Sequence, residues 1–164
     1  MLTVRKAEDR DRQAILTVTT EVSVFTPAEI ACVDELLDIY LHQPDKHDYA
    51  FIICSDESDR FLGYACYGPT PLTEGTYDLY WLCVSRAAQG RGVGAALLEQ
   101  VEKELSTLGA RILIAETSST PPYAPARTFY EHHGFSPSAR IRDFYRPGDD
   151  LITYVKYFTD PQGF

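Results

Sequence analysis

The stretch that most constrains this chain is Leu79 to Leu105, LYWLCVSRAAQGRGVGAALLEQVEKEL. It opens with an apolar and aromatic run, Leu79-Tyr80-Trp81-Leu82-Cys83-Val84. That run is too short for a helix and rich in strand formers. After it, Val93, Leu97, Val101, Leu105 and Leu108 recur four or three apart, so the spacing predicts one apolar stripe on an amphipathic helix. Burying each such side chain stabilises by roughly 1.5–3 kcal/mol, which fixes the helix against a sheet. Between strand and helix stands Gln89-Gly90-Arg91-Gly92-Val93-Gly94-Ala95. Glycines at a helix start leave backbone N–H groups uncovered, and the helix dipole adds partial positive charge at the same place. The expectation is a buried strand, a turn that seats a phosphate or pyrophosphate, and a long helix.

The rest of the chain supplies a frame for that unit. Leu2-Thr3-Val4-Arg5 reads as a first strand, and Glu8 to Thr20 as a helix carrying Ala14, Ile15, Leu16 and Val18. A second helix opens at Thr26-Pro27-Ala28-Glu29, where Thr26 caps, Pro27 suits the first helical position and Glu29 completes a capping box. Its apolar positions run from Ile30 to Leu41, and Pro44 ends it. Tyr49 to Cys54 and Arg60 to Tyr67 read as an antiparallel pair, and Thr76 to Val84 as the next strand. Beyond the central helix and Gly109, strand Arg111 to Glu116 runs parallel to its predecessor through a right-handed crossover. Thr117 to Pro125 reads as a loop and Ala126 to His133 as a short helix. Ala139 to Tyr145 and Leu151 to Phe158 form a hairpin over Arg146-Pro147-Gly148-Asp149-Asp150.

Composition sets bounds. A chain of 164 residues with 45% apolar and 24% charged residues is expected to be one globular domain, 1–164. A net charge of −9 argues against nucleic acid or anionic membrane as a main partner. Cys32, Cys54, Cys66 and Cys83 fall in apolar segments without metal-ligand spacing, so buried free thiols in a reducing cytoplasm are expected, and no metal. No export segment or long apolar span stands out, so membrane insertion is not expected.

Two cofactor fingerprints compete for the glycine turn. Gly90-x-Gly92-x-x-Ala95 satisfies the dinucleotide pattern, and Ile112-Leu113-Ile114-Ala115-Glu116 ends in an acidic residue at about the right distance. A dinucleotide turn leaves its strand almost directly into the first glycine, whereas Ser85 to Gln89 intervene here. The chain past this point also leaves no room for a second mononucleotide half. The other pattern is Gln-x-x-Gly-x-Gly/Ala, met by Gln89, Gly92 and Gly94. In it the segment resembles the acetyl-coenzyme A pyrophosphate loop of the GCN5-related N-acetyltransferases, the GNAT family. A second stretch, Ala126-Arg127-Thr128-Phe129-Tyr130-Glu131-His132-His133-Gly134-Phe135, is similar to that family's Ala-x-x-Phe-Tyr-x-x-x-Gly-Phe segment and stands the expected distance downstream.

The resemblance implies the GNAT acyl-CoA N-acyltransferase fold, an α/β mixed sheet in the order β-α-α-β-β-β-α-β-α-β-β with a splayed central parallel strand pair. It implies acetyl-CoA as cosubstrate, held by Gln89, Gly90, Arg91, Gly92, Val93, Gly94 and Ala95 and by exposed backbone groups of Leu82, Cys83 and Val84. Ala126 and Phe129 belong to the same site. Many members carry Asn three residues before the helix alanine, bonded to the pantetheine arm; here that position is Tyr123. Tyr130 is implied as the acid that protonates the departing thiolate, a task that suits a neutral phenol. The implied reaction is direct acetyl transfer to a primary amine of a small or amino-acid-like molecule, through an oxyanion that a backbone N–H would stabilise by roughly 3–4 kcal/mol. Two carboxylates compete as its base. Asp78 lies eleven residues before Gln89, where histone-acetylating members place a glutamate, and Glu116 ends the parallel neighbour. Either could equally be a solvated strand-end group. Phe25, Tyr40, Arg142, Tyr145 and Asp149 are candidates for the acceptor side, and the family also forms homodimers. The competing functions are a non-catalytic acyl-CoA sensor and, among enzymes, a protein N-terminal or lysine acetyltransferase.

Overall fold

The computed structural model of the chain describes residues 1–22 and 24–158. Its elements are β1 (Thr3–Lys6), α1 (Arg12–Glu21), α2 (Pro27–His42), β2 (Ala50–Ser55), β3 (Phe61–Pro69), β4 (Thr76–Val84), α3 (Val93–Thr107), β5 (Ile112–Ser118), α4 (Ala124–His132), β6 (Ser136–Arg146) and β7 (Asp149–Tyr157). This is the expected order. The strands form a mixed seven-stranded sheet ordered β1-β2-β3-β4-β5-β7-β6. In it β4 and β5 are parallel. The pairs β1–β2, β2–β3, β5–β7 and β6–β7 are antiparallel. The chain divides into two compact units, Met1–Pro69 with Tyr80–Glu104, and Thr70–Leu79 with the residues from Leu105 onward.

In the first unit, alternation along the strands sorts side chains to two faces. Phe51, Ile53, Tyr64 and Cys66 join Ile15, Val18, Val33 and Leu37 of α1 and α2 in one apolar core. The hydroxyls of Tyr64 and Thr19 hydrogen-bond at 2.7 Å inside it, so neither is left unsatisfied. On the opposite face of β3, the Tyr67 hydroxyl donates to Glu104 of α3, and a Cβ built on Gly63 would lie 3.3 Å from Val93. Helix α2 starts as its sequence dictates. Thr26 accepts from the Glu29 amide at 3.2 Å, and Glu29 accepts from the Thr26 amide at 2.6 Å.

The stripe on α3 is buried at Val93, Leu97, Val101 and Leu105, but Leu108 is 65% exposed. The helix stops at Thr107, and the turn through Gly109 rotates Leu108 off the stripe; Leu98 is buried instead.

In the second unit, β5 runs two residues beyond the expected Glu116 because Thr117 and Ser118 stay in register with Ile152 and Leu151 of β7. Helix α4 begins at Ala124, since Pro125 is tolerated in its first turn, where an amide donor has no intrahelical partner. The hairpin tip is tighter than the sequence indicated. Arg146 pairs with Asp149 across Pro147-Gly148, and Asp149 and Asp150 are buried in β7. Burial is tolerated because both acids are bonded. Ser118 Oγ donates to Asp149 at 2.5 Å, while Arg140 Nε and the Asp143 amide donate to Asp150 at 2.6 and 2.9 Å. No helix among the described residues is long and apolar enough to cross a membrane.

Candidate active site

The glycine turn belongs to the first unit. Strand β4 leads through Ser85, whose amide donates to the Leu62 carbonyl at 2.8 Å, into a single turn of 3-10 helix, Arg86–Ala88. Ala88 is buried and anchors the arm, while Gln89, Gly90, Arg91 and Gly92 are exposed. Gly90 and Gly92 take left-handed φ values of +75° and +78°, which residues with a Cβ rarely adopt. A Cβ on either would meet nothing within 4 Å, so the demand for glycine is conformational. Helix α3 follows at once, and the Gly92 carbonyl accepts its first bond from the Ala96 amide at 3.0 Å. The amides of Val93, Gly94 and Ala95 lie in the helix's first turn, which offers them no carbonyl one turn back. These residues fit a phosphate group.

Upstream, Leu82 and Val84 are half-buried and Cys83 is buried. Burial pushes the Cys83 thiol up to about 12, against a smaller opposing effect from its hydrogen bond with Tyr64. Cys83 is therefore a protonated core group at neutral pH, not an acyl-accepting thiolate. Its carbonyl would lie 2.5 Å from a Cβ on Gly63, so glycine there lets β3 and β4 approach.

The second unit holds the ionisable candidates. Strand β4 pairs with β5 over only three positions, Thr76 with Ile112, Tyr77 with Leu113 and Asp78 with Ile114. Asp78 is half-buried, and its Oδ2 accepts the Thr70 hydroxyl at 2.6 Å. Glu116 lies two residues past Ile114 and therefore on the same face as Asp78. Glu116 is exposed as a residue, yet partial desolvation of its carboxyl raises its pKa, and the Asp78 charge raises it further. The two acids that the sequence offered as alternatives thus share one face, and the Asp78 charge acts on Glu116.

Helix α4 carries Tyr130, 9% exposed, in an aromatic cage. Its ring centroid lies 5.3 Å from Phe135, 5.7 Å from Tyr154 and 5.8 Å from Phe129. The turn at Gly134 brings the Phe135 amide to the Tyr130 carbonyl at 3.0 Å, which locks this end of the helix. Phe129 packs on His133 at 4.2 Å, and Ala126 and Tyr123 are half-buried at the helix start.

Sequence reasoning missed the residues that brace this region. Arg127 sits at an unspecified position of the second motif, yet its Nη1 donates to the Ser118 and Thr120 carbonyls at 2.7 and 2.9 Å and fixes the β5–α4 loop. Thr70, directly after β3, stands in no motif. Of the acceptor-side candidates, Phe25 and Tyr40 pack on the first unit's core and Asp149 is tied to Ser118, while Arg142 and Tyr145 are exposed. No group of three or more potential metal ligands occurs among the described residues.

Comparison with known proteins places this architecture. Residues 16–135 match the family described as Acetyltransferase (GNAT) family. Among solved structures, the chain is similar to one from Desulfovibrio desulfuricans assigned to the GNAT acetyltransferases. The two are 41% identical over 97% of this chain and 100% of that one, with a TM-score of 0.88. It shares its fold with the ribosomal-protein-S18-alanine N-acetyltransferase of Escherichia coli, at 19% identity over 100% and 99% of the chains and a TM-score of 0.76. It also shares it with the PaiA N-acetyltransferase of Thermoplasma acidophilum in complex with coenzyme A, at 17% identity over 96% and 99% and a TM-score of 0.73. Among curated proteins, none matches. With the family profile covering most of the chain and this degree of identity to the Desulfovibrio protein, the chain belongs to the GNAT family of acetyltransferases, whose general reaction is acetyl transfer to an amine.

Proposed function

We propose that this protein transfers the acetyl group of acetyl-CoA directly to a primary amine of a small or amino-acid-like molecule. The observation that carries the reading is the left-handed turn at Gly90 and Gly92 entering α3, because it presents backbone amides where a pyrophosphate needs them. Bound there, acetyl-CoA supplies an activated carbonyl and a thiolate leaving group. Gln89 to Ala95 hold its phosphates, and backbone groups of Leu82, Cys83 and Val84 align its arm. Tyr123, Ala126 and Phe129 complete the coenzyme's surroundings. Tyr130 gives its phenolic proton to the departing sulfur. Glu116 takes the proton from the acceptor amine, since Asp78 is already engaged by Thr70, and partial desolvation with the nearby Asp78 charge raises the Glu116 carboxyl above its ordinary range. Positioning of the two reactants supplies much of the remaining acceleration. The net charge of −9 favours a cationic amine over an anionic acceptor.

The test is thiol release from acetyl-CoA with a panel of amines, amino acids and short peptides beside a control lacking amine. Release that depends on a small amine is expected. Release only with peptides would move the assignment to a protein acetyltransferase, and coenzyme binding without release from any acceptor would make the chain a sensor.

A further inference from the structure

The assignment of Glu116 as base leaves unexplained why a second acid is built beside it and given a dedicated partner. Thr70 is fixed twice through its backbone. Its amide donates to the Thr76 carbonyl at 2.9 Å, and its carbonyl accepts the Thr73 hydroxyl at 2.7 Å. Its hydroxyl is thereby aimed at Asp78 Oδ2, 2.6 Å away. Asp78 is the last β4 residue paired with β5, and Glu116 is the next β5 residue on its face. Ideal strand spacings put their Cα atoms about 8 Å apart, within reach of two carboxylate side chains.

We propose that Asp78, held by Thr70, is a positioning residue whose fixed negative charge prepares Glu116 to receive and hold the proton of the acceptor amine. The proposal rests on the reading of Glu116 as base. In the step concerned, an ammonium N–H bond breaks, its proton passes to a Glu116 carboxylate oxygen, and the nitrogen keeps the electron pair with which it attacks the thioester carbon. A neighbouring negative charge favours the protonated form of a carboxylic acid. The Thr70 hydrogen bond holds the Asp78 side chain on the face it shares with Glu116.

The other groups of this unit leave that role to Asp78. Across from Glu116, β7 presents uncharged Thr153, flanked on the same face by Leu151 and Val155. Asp149, farther along that face, is engaged by Ser118 and by Arg146 at 3.5 Å. On α4, Glu131 accepts the Tyr154 hydroxyl on the opposite face, and Arg127 is turned to loop carbonyls. Lys156 also falls on the opposite face, and Arg111 binds the Glu74 carbonyl. The raised pKa of Glu116, from desolvation first and Asp78 second, agrees with the arrangement.

The experiment is a carboxyl-carbon NMR titration of the full chain labelled at Glu and Asp, with Glu116 assigned through Glu116→Gln. In Asp78→Asn the Glu116 midpoint is expected to fall toward that of an ordinary glutamate. An unchanged midpoint in a folded Asp78→Asn protein overturns the proposal. Should that variant not fold, Thr70→Val decides the matter. The Glu116 midpoint is expected to shift when the anchoring donor is removed and to return in Thr70→Ser, and no change in Thr70→Val overturns the anchoring. With the best acceptor of the amine panel, the acid limb of kcat/KM is expected to move to lower pH in Asp78→Asn. If Glu116→Gln leaves turnover intact while the NMR midpoint still moves, the base assignment has failed and the coupling of the pair stands.

Discussion

The glycine turn and the α4 region take part in one proposed reaction by opposite physical means. Gln89 to Ala95 present backbone: two glycines in left-handed conformation and the first turn of α3. The second unit presents side chains: Tyr130 caged by three aromatic rings, and Asp78 and Glu116 on one face of a parallel pair. A backbone site is indifferent to most side-chain chemistry and intolerant of a Cβ where φ is positive. A side-chain site is indifferent to small conformational costs and intolerant of losing one proton or one charge. The contrast teaches that binding and chemistry should separate on mutation.

The sharpest separation is expected at Tyr130. Removing its hydroxyl in Tyr130→Phe leaves the ring and its packing in place, so coenzyme A affinity by calorimetry should stay within about threefold, while kcat falls by at least about a hundredfold, the low end for loss of a general acid. Equal losses in binding and turnover would erase the contrast. The converse experiment is Gly92→Val. A β-branched residue at φ +78° costs about 1–2 kcal/mol, which predicts coenzyme A binding weaker by about tenfold. Arg91→Ala in the same turn should weaken binding less. If the arginine matters more than the glycine, the turn acts through charge and not through its backbone.

The smallest effect concerns stability. Because Glu116 binds its proton more tightly folded than unfolded, it lowers stability at neutral pH, and the penalty disappears as pH falls below the ordinary glutamate range. Glu116→Gln should therefore raise the Tm slightly at pH 7 and leave it unchanged in acid. A Tm lowered at pH 7 would mean that the carboxylate is instead stabilised by the fold.

How much of this was legible in the sequence follows the range of the forces involved. Local signals fixed the α2 capping box and the α3 stripe as far as Leu105. Each of these depends on residues within about one turn of one another, so spacing alone reveals them. Signals failed where partners were distant in the chain. Asp149 and Asp150 looked like a polar hairpin tip, and only Ser118, Arg140 and Asp143 make their burial tolerable. Arg127 looked like filler within a motif, and only its two carbonyl partners show that it braces a loop.

By itself, then, the sequence determined the order of elements, the glycine turn and the family, because periodicity and backbone preference are written residue by residue. The tertiary structure alone decided which carboxylates meet and which cysteine is inert. Register between β4 and β5 brings Asp78 to Glu116 across 38 positions of sequence, and burial holds Cys83 as a thiol. Charge coupling and desolvation depend on distance in space, which no spacing along the chain encodes.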